Sequence, residues 1–154
     1  MLGTAAVVLA ADQITKSLVL RLQPVTGSGL VSVRLVRNTG ASGGIAAGYP
    51  VLVTLAAVAI VAAAGTLAVR TRSRAVAICL AAVLGGALGN LSDRLFHAPG
   101  LGRGAVVDWI HVAGRGGSFN ISDLAIQLGA VAAVVAMFVA DRARVRRPDE
   151  SWSK

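Results

Sequence analysis

The strongest constraint on this chain is the placement of its few charges. Four stretches, at about 1–22, 51–69, 75–95 and 120–140, are long and apolar enough to cross a bilayer, which takes about 20 mostly apolar residues. The second carries no charge, the first is interrupted by Asp12 and Lys16, and the third ends in Gly89-Asn90-Leu91-Ser92-Asp93-Arg94. Of the 154 residues, 55% are hydrophobic and 14% charged, whereas a soluble domain carries about a quarter charged. The fold class expected is an all-α membrane protein with four transmembrane helices.

The arginines orient it. Arg70, Arg72 and Arg74 sit in the turn between the second and third stretches, and Arg142, Arg144, Arg146 and Arg147 follow the fourth. Basic clusters abutting apolar spans mark the cytoplasmic side, so both termini are expected in the cytoplasm and the connections 23–50 and 96–119 outside. Within the first connection, Leu30-Val31-Ser32-Val33-Arg34-Leu35-Val36 puts Val31, Val33 and Leu35 on one face of a short strand, punctuated by Gly27, Gly29, Gly40, Gly43, Gly44 and Pro50. A small extracytoplasmic β-element on the bilayer surface is expected. The first stretch has no basic region ahead of it and reads as a retained span rather than a cleaved leader. One membrane domain, 1–141, is followed by a basic cytoplasmic tail, 142–154, too polar to fold.

The net charge of +8 therefore belongs to membrane orientation. Aromatic residues, at 4%, are too sparse for base stacking along a basic groove, and no nucleic-acid partner is expected. The single cysteine, Cys79, lies in an apolar run and reads as a small hydrophobe. One Cys with His97 and His111 cannot assemble a metal cluster, so neither metal nor cofactor is expected.

Ionisable groups inside spans are costly and mark function. Asp141, Asp149 and Glu150 belong to the cytoplasmic end, leaving Asp12, Asp93, Asp108 and Asp123. Given the orientation from the arginines, Asp93 and Asp123 fall at the outer ends of the third and fourth spans. Asp108 lies in the loop between them, in the apolar setting Val106-Val107-Asp108-Trp109-Ile110, and Asp12 lies with Lys16 one turn away on the same face of the first span. Amides join them: Asn90 on the face of Asp93, Asn38 before the second span, and the stripe Asn120, Asp123, Gln127 along the fourth. Taken singly, each has a plain reading: an ion pair within a helix for Asp12 and Lys16, an anchored helix end for Asp93 and Arg94, a dipole-complementing acid for Asp123, and a loop acid for Asp108. Gly85-Gly86-Ala87-Leu88-Gly89 reads as a close helix contact. Their convergence at one depth reads as a site.

Two neighbouring carboxylates share a proton, so that one acts as base on a water and the other as acid on a leaving amide. The same residue types would serve proton or cation movement. A relay, however, places its groups at successive depths, and here the inner halves of the second and fourth spans carry no charge. Gly40-Ala41-Ser42-Gly43 resembles a rhomboid serine motif without its histidine-bearing helix. Lys16-Ser17 are adjacent on a helix and point apart, and the Gly-x-Gly-Asp motif of presenilin-type proteases is absent.

Five segments, in order, resemble the lipoprotein signal peptidases (signal peptidase II): Asp12-Gln13-Ile14-Thr15-Lys16, Asn38-Thr39-Gly40-Ala41, Gly89-Asn90-Leu91-Ser92-Asp93-Arg94, Val107-Asp108-Trp109 and Phe119-Asn120-Ile121-Ser122-Asp123. The resemblance implies Asp108 and Asp123 as the catalytic pair. It implies Asn38, Asn90, Arg94 and Asn120 as groups that position substrate or support the pair, and Asp12, Lys16 and Asp93 as structural. It implies a monomeric, multi-pass enzyme of the bacterial inner membrane, working among membrane lipids with its site on the extracytoplasmic side. The substrates implied are prolipoproteins carrying diacylglyceryl on a cysteine, cut just before that cysteine, and globomycin is the inhibitor implied. The chain departs from the family's pattern at Ser42-Gly43-Gly44, where an aromatic is lost and a looser loop is expected. Trp109 stands for the usual Phe, and Ser122 stands for the usual Ala with a hydroxyl able to hydrogen-bond the pair.

Overall fold

A computed structural model describes residues 1–23, 29–41, 45–46, 48–114 and 116–145 of the chain. Along these run α1 (Leu2–Leu22), β1 (Val31–Asn38), α2 (Pro50–Arg70), α3 (Arg74–Phe96), β2 (Val106–Val112), β3 (Ser118–Phe119) and α4 (Ile121–Val145). Local chemistry sets several of these ends. Pro50, which has no N–H to lose, stands in the first turn of α2. Ser73 caps α3 by accepting from the Val76 N–H at 3.4 Å.

Among the described residues, three helices are long and apolar enough to cross a membrane: Pro50–Arg70, Arg74–Phe96 and the first part of α4, Ile121–Arg142. α1 matches α2 in length at 21 residues, about 31 Å at 1.5 Å per residue. It does not join the three, and its middle carries Asp12 and Lys16. α4 continues to Val145, beyond the end expected for the fourth span at Ala140. The tail from position 146 and the loop 42–44 lie outside the described residues.

α3 is the hub and packs on α1, α2 and α4. Its buried face is built of small residues, including Ala81, Gly85, Gly86, Ala87 and Gly89. A Cβ on Gly85 would lie 2.5 Å from the Ala5 carbonyl oxygen of α1, and one on Gly86 would lie 2.6 Å from the Ser122 carbonyl oxygen of α4. Without side chains there, backbones approach closely enough to bring polar groups of three helices together. Large apolar side chains point outward instead, among them Leu52, Leu55 and Leu67 on α2 and Leu128, Val131 and Phe138 on α4. That distribution suits lipid rather than water.

The two long connections meet in one antiparallel sheet of order β1-β2-β3. β1 starts opposite the end of β2, with Val31 paired to Val112, and ends with Asn38 paired to Val106. β3 pairs Phe119 with Ile110 and Ser118 with His111. Two sequence expectations change here. β1 spends three steps from Val33 to Val36 where β2 takes two from Ile110 to Asp108. This bulge breaks the alternation expected to carry from Val33 to Leu35; ahead of it, Ser32 is buried and Val31 exposed. The other change concerns Asp108, expected in a loop but found in β2, where pairing with Val36 fixes it.

Candidate active site

At the base of the site a buried ion triad ties three segments together. Lys16 Nζ lies 2.7 Å from Asp12 Oδ2 and 2.9 Å from Asp93 Oδ2, and donates to Asn90 Oδ1 at 3.0 Å. All three ammonium donors are used. Lys16 is 2% exposed, Asp12 0% and Asp93 1%. Each acid has a second task. Asp12 Oδ1 accepts the backbone N–H of Ser122 at 2.9 Å, and Asp93 Oδ2 accepts that of Val107 at 3.0 Å. The triad thus holds the residue immediately before Asp123 and the residue immediately before Asp108. Gln13, which sequence reading had not singled out, bridges both acids: its Nε2 donates to Asp12 Oδ2 at 3.1 Å and to Asp93 Oδ1 at 3.2 Å. Its only sequence signal was its place beside Asp12.

Above the triad, three amides organise Asp108 and Asp123. Asn120 caps α4, its Oδ1 accepting the Asp123 N–H at 2.9 Å. Its Nδ2 donates to Asp108 Oδ1 at 2.7 Å and to Asn90 Oδ1 at 3.1 Å. Asn90 Nδ2 donates to Asp123 Oδ1 at 2.9 Å. Asn38 Nδ2 donates to Asp108 Oδ2 at 2.9 Å, while its Oδ1 accepts the Gly40 N–H and so folds the loop after β1. Both oxygens of Asp108 are therefore occupied, whereas Asp123 Oδ2 takes no hydrogen bond among the described residues. Arg94, also buried, donates through Nη2 to the Gly40 carbonyl at 2.5 Å and, among the described residues, leaves Nη1 without a partner.

These groups line one cavity of about 250 Å³, with Asn38, Asn90, Arg94, Asp108 and Asp123 on its polar side and Val53, Ala56, Ala57, Ile60 and Ile126 on its apolar side. A larger cavity, about 460 Å³, lies at the opposite end of the helices around Arg72, Ser73 and Asp141, and it holds no pair of acids. Every site residue expected from sequence belongs either to the cavity wall or to the network beneath it. Ser122 departs from expectation. Its hydroxyl has no hydrogen-bond partner among the described residues and points toward Gly89 and the Asp12 carboxylate, because the residue before Asp123 in the first turn of α4 faces α1 and α3 rather than the cavity. Among the described residues no three His, Cys, Asp or Glu side chains gather as metal ligands.

Burial dominates the electrostatics of Asp108. Loss of water raises its pKa from the usual 3.8 to about 7, and the neighbouring Asp123 charge adds to the rise. Hydrogen bonds from Asn38 and Asn120 and the charge of Lys16 oppose it. A carboxyl whose folded pKa lies above its unfolded value binds its proton more tightly when folded. Stability from this group is therefore full below about pH 4 and is lost as pH rises toward about 7. Asp108→Asn cannot titrate there. Relative to wild type, it should gain on the order of a few kcal/mol between about pH 4 and about pH 8. Thermal unfolding in detergent across that range measures the gap; parallel curves would show that Asp108 does not change protonation on folding.

Fold and site together define a multi-pass membrane protein with a polar-walled cavity at one end of its helices. Residues 4–139 match the family model described as Signal peptidase (SPase) II. The chain is 45% identical over 137 residues to the lipoprotein signal peptidase of Rhodococcus jostii (strain RHA1), covering 85% of this chain and 68% of that protein. It is 43% identical over 140 residues to the lipoprotein signal peptidase of Mycobacterium avium (strain 104), covering 88% and 76%. A bacterial membrane enzyme solved by the in meso method at 2.3 Å resolution shares the fold, with a TM-score of 0.79 over 96% of this chain and 92% of that one, at 22% identity. The chain belongs to the signal peptidase II family, as its five motifs predicted, and is by that membership a membrane peptidase.

Proposed function

We propose that this protein is an aspartyl endopeptidase that removes the signal peptide from diacylglyceryl-modified prolipoproteins, cutting just before the lipidated cysteine. The observation that carries the proposal is the single side chain of Asn120, which accepts the Asp123 N–H and donates to Asp108 Oδ1, coupling two carboxyls on one cavity wall. Asp108, with a pKa near 7, keeps a protonated fraction at neutral pH and in that form serves as general acid. Asp123, with Oδ2 open, serves as general base. Asp123 takes a proton from a water whose oxygen attacks the scissile carbonyl. The tetrahedral oxyanion is stabilised by Arg94 Nη1–H, which has no partner among the described residues. Asp108 then protonates the amide nitrogen, the C–N bond breaks, and the proton on Asp123 returns to Asp108 as the products leave. Asn38, Asn90 and Asn120 hold the two acids in register, and Asp12, Lys16 and Asp93 support them from below.

In this reading α1 is a fourth span, with residues 1–141 forming the membrane domain and 142–154 a cytoplasmic tail. The basic turn after α2 and the basic end of α4 support a cytoplasmic position for both termini. The sheet and the cavity then face the extracytoplasmic side of the bacterial inner membrane, and one chain holds the complete network. The acyl chains remain in lipid while the cysteine peptide reaches the acids, so membrane anchoring contributes much of the binding. Purified protein in lipid should cut a diacylglyceryl-modified precursor on the order of 100-fold faster than the same precursor unmodified. Equal rates on the two substrates would sink the reading.

A further inference from the structure

Gln127 is a polar residue of α4, on the cavity side, that neither the acid pair nor the supporting network uses. It stands one turn past Asp123 on the same helix face, its side chain is exposed, and it lines the cavity that holds Asp108 and Asp123. Among the described residues it makes no hydrogen bond, and the apolar lining of the same cavity includes Ala56, Ala57, Ile60 and Ile126. An amide carries two donors and one acceptor, and at membrane depth an unpaired one is costly. Asn38 and Asn90, the other amides of the wall, are both bonded.

We infer that Gln127 is a positioning residue for substrate, pairing with the backbone of the signal peptide in the few residues before the scissile bond. This rests on the peptidase reading above. A peptide cut within a membrane must leave its helix around the cleaved bond, which frees backbone N–H and C=O groups where water is scarce. Those residues precede the cut and lie deeper than it, and Gln127 lies one turn deeper than Asp123. The small side chains of Ala56 and Ala57, which line the same cavity, leave room there for a backbone to pass. A side chain offering both a donor and an acceptor suits an extended strand better than a charged group would.

The test is the cleavage of lipidated precursors in which each of the three backbone amides before the scissile one is replaced in turn by an ester, with wild type and Gln127→Leu. Gln127→Leu changes an exposed residue outside the network, so folding should be kept, and thermal unfolding checks this. On the all-amide substrate the variant should lose about 3–10-fold in kcat/KM, the worth of one hydrogen bond, chiefly through KM. One ester position should cost wild type a similar factor and cost the variant nothing further. If wild type cleaves and Gln127→Leu matches it, the inference falls while the peptidase reading stands. If every ester penalty persists in the variant, its loss arises elsewhere, at the lipid anchor for example, and the inference again falls. A folded wild type inert on the all-amide lipidated substrate would overturn both.

Discussion

Asparagine at position 108 or 123 should lower cleavage of lipidated precursor by about 10³-fold or more, at the upper range for loss of a general acid or base. The two substitutions remove different things. Asn at 123 leaves no base where Oδ2 is open to a water. Asn at 108 leaves an amide that cannot release a proton to the leaving nitrogen. Both keep the side chain's size, and Asp108→Asn also relieves a buried charge at high pH, so loss of activity should occur in protein at least as stable as wild type above about pH 7. Since the two carboxyls act in one proton circuit, Asp108→Asn/Asp123→Asn should be little worse than either single variant, the non-additivity expected of groups working as a unit. Release of signal peptide from a fixed precursor measures all three. A single variant retaining more than roughly a tenth of wild-type kcat/KM would remove that residue from the pair. Losses that multiply in the double variant would show two independent contributions.

Much of this architecture is written locally in the chain. The stretches at 51–69, 75–95 and 120–140 became α2, α3 and α4 to within a few residues, because apolar length and flanking arginines decide a membrane helix without reference to the rest of the fold. Asp12 and Lys16 meet because four residues make one turn, and Gly85 and Gly86 pack because small residues admit a neighbouring backbone. What could not be read depends on partners far away in sequence. The strand around Asp108 carries a β-rich pattern, Val106-Val107-Asp108-Trp109-Ile110-His111-Val112, but only pairing with β1 turns it from loop into strand. Asn90 looked like a companion of Asp93 on one helix face; its bonds run to Lys16, Asn120 and Asp123 on two other helices. Ser122 sits beside Asp123 in sequence and points the other way. On a helix adjacency separates side chains, and a hydroxyl next to a candidate acid is no evidence of contact.

The triad beneath the site bears directly on its chemistry, and Lys16→Met makes the second large prediction. Methionine keeps an unbranched chain of similar reach and removes the charge, leaving Asp12 and Asp93 buried without their cation. Breaking one partner of a buried ion group typically costs 3–5 kcal/mol, so about that loss is expected in unfolding free energy measured in detergent. Asp12→Asn/Lys16→Met/Asp93→Asn should recover most of it, since each amide keeps an oxygen to accept the Ser122 or Val107 N–H and no charge stays unpaired. Activity should separate the two variants less than stability does. Lys16 donates to Asn90 Oδ1, which fixes the amide so that Nδ2 faces Asp123. Both variants lose that donor, and with it one constraint on a base whose placement matters at the ångström scale. Restored stability with cleavage still depressed by roughly 10–100-fold would separate the geometric part of Lys16 from its part in holding the fold. Full recovery of cleavage along with stability would show that the lysine serves only to neutralise the two acids beneath the site.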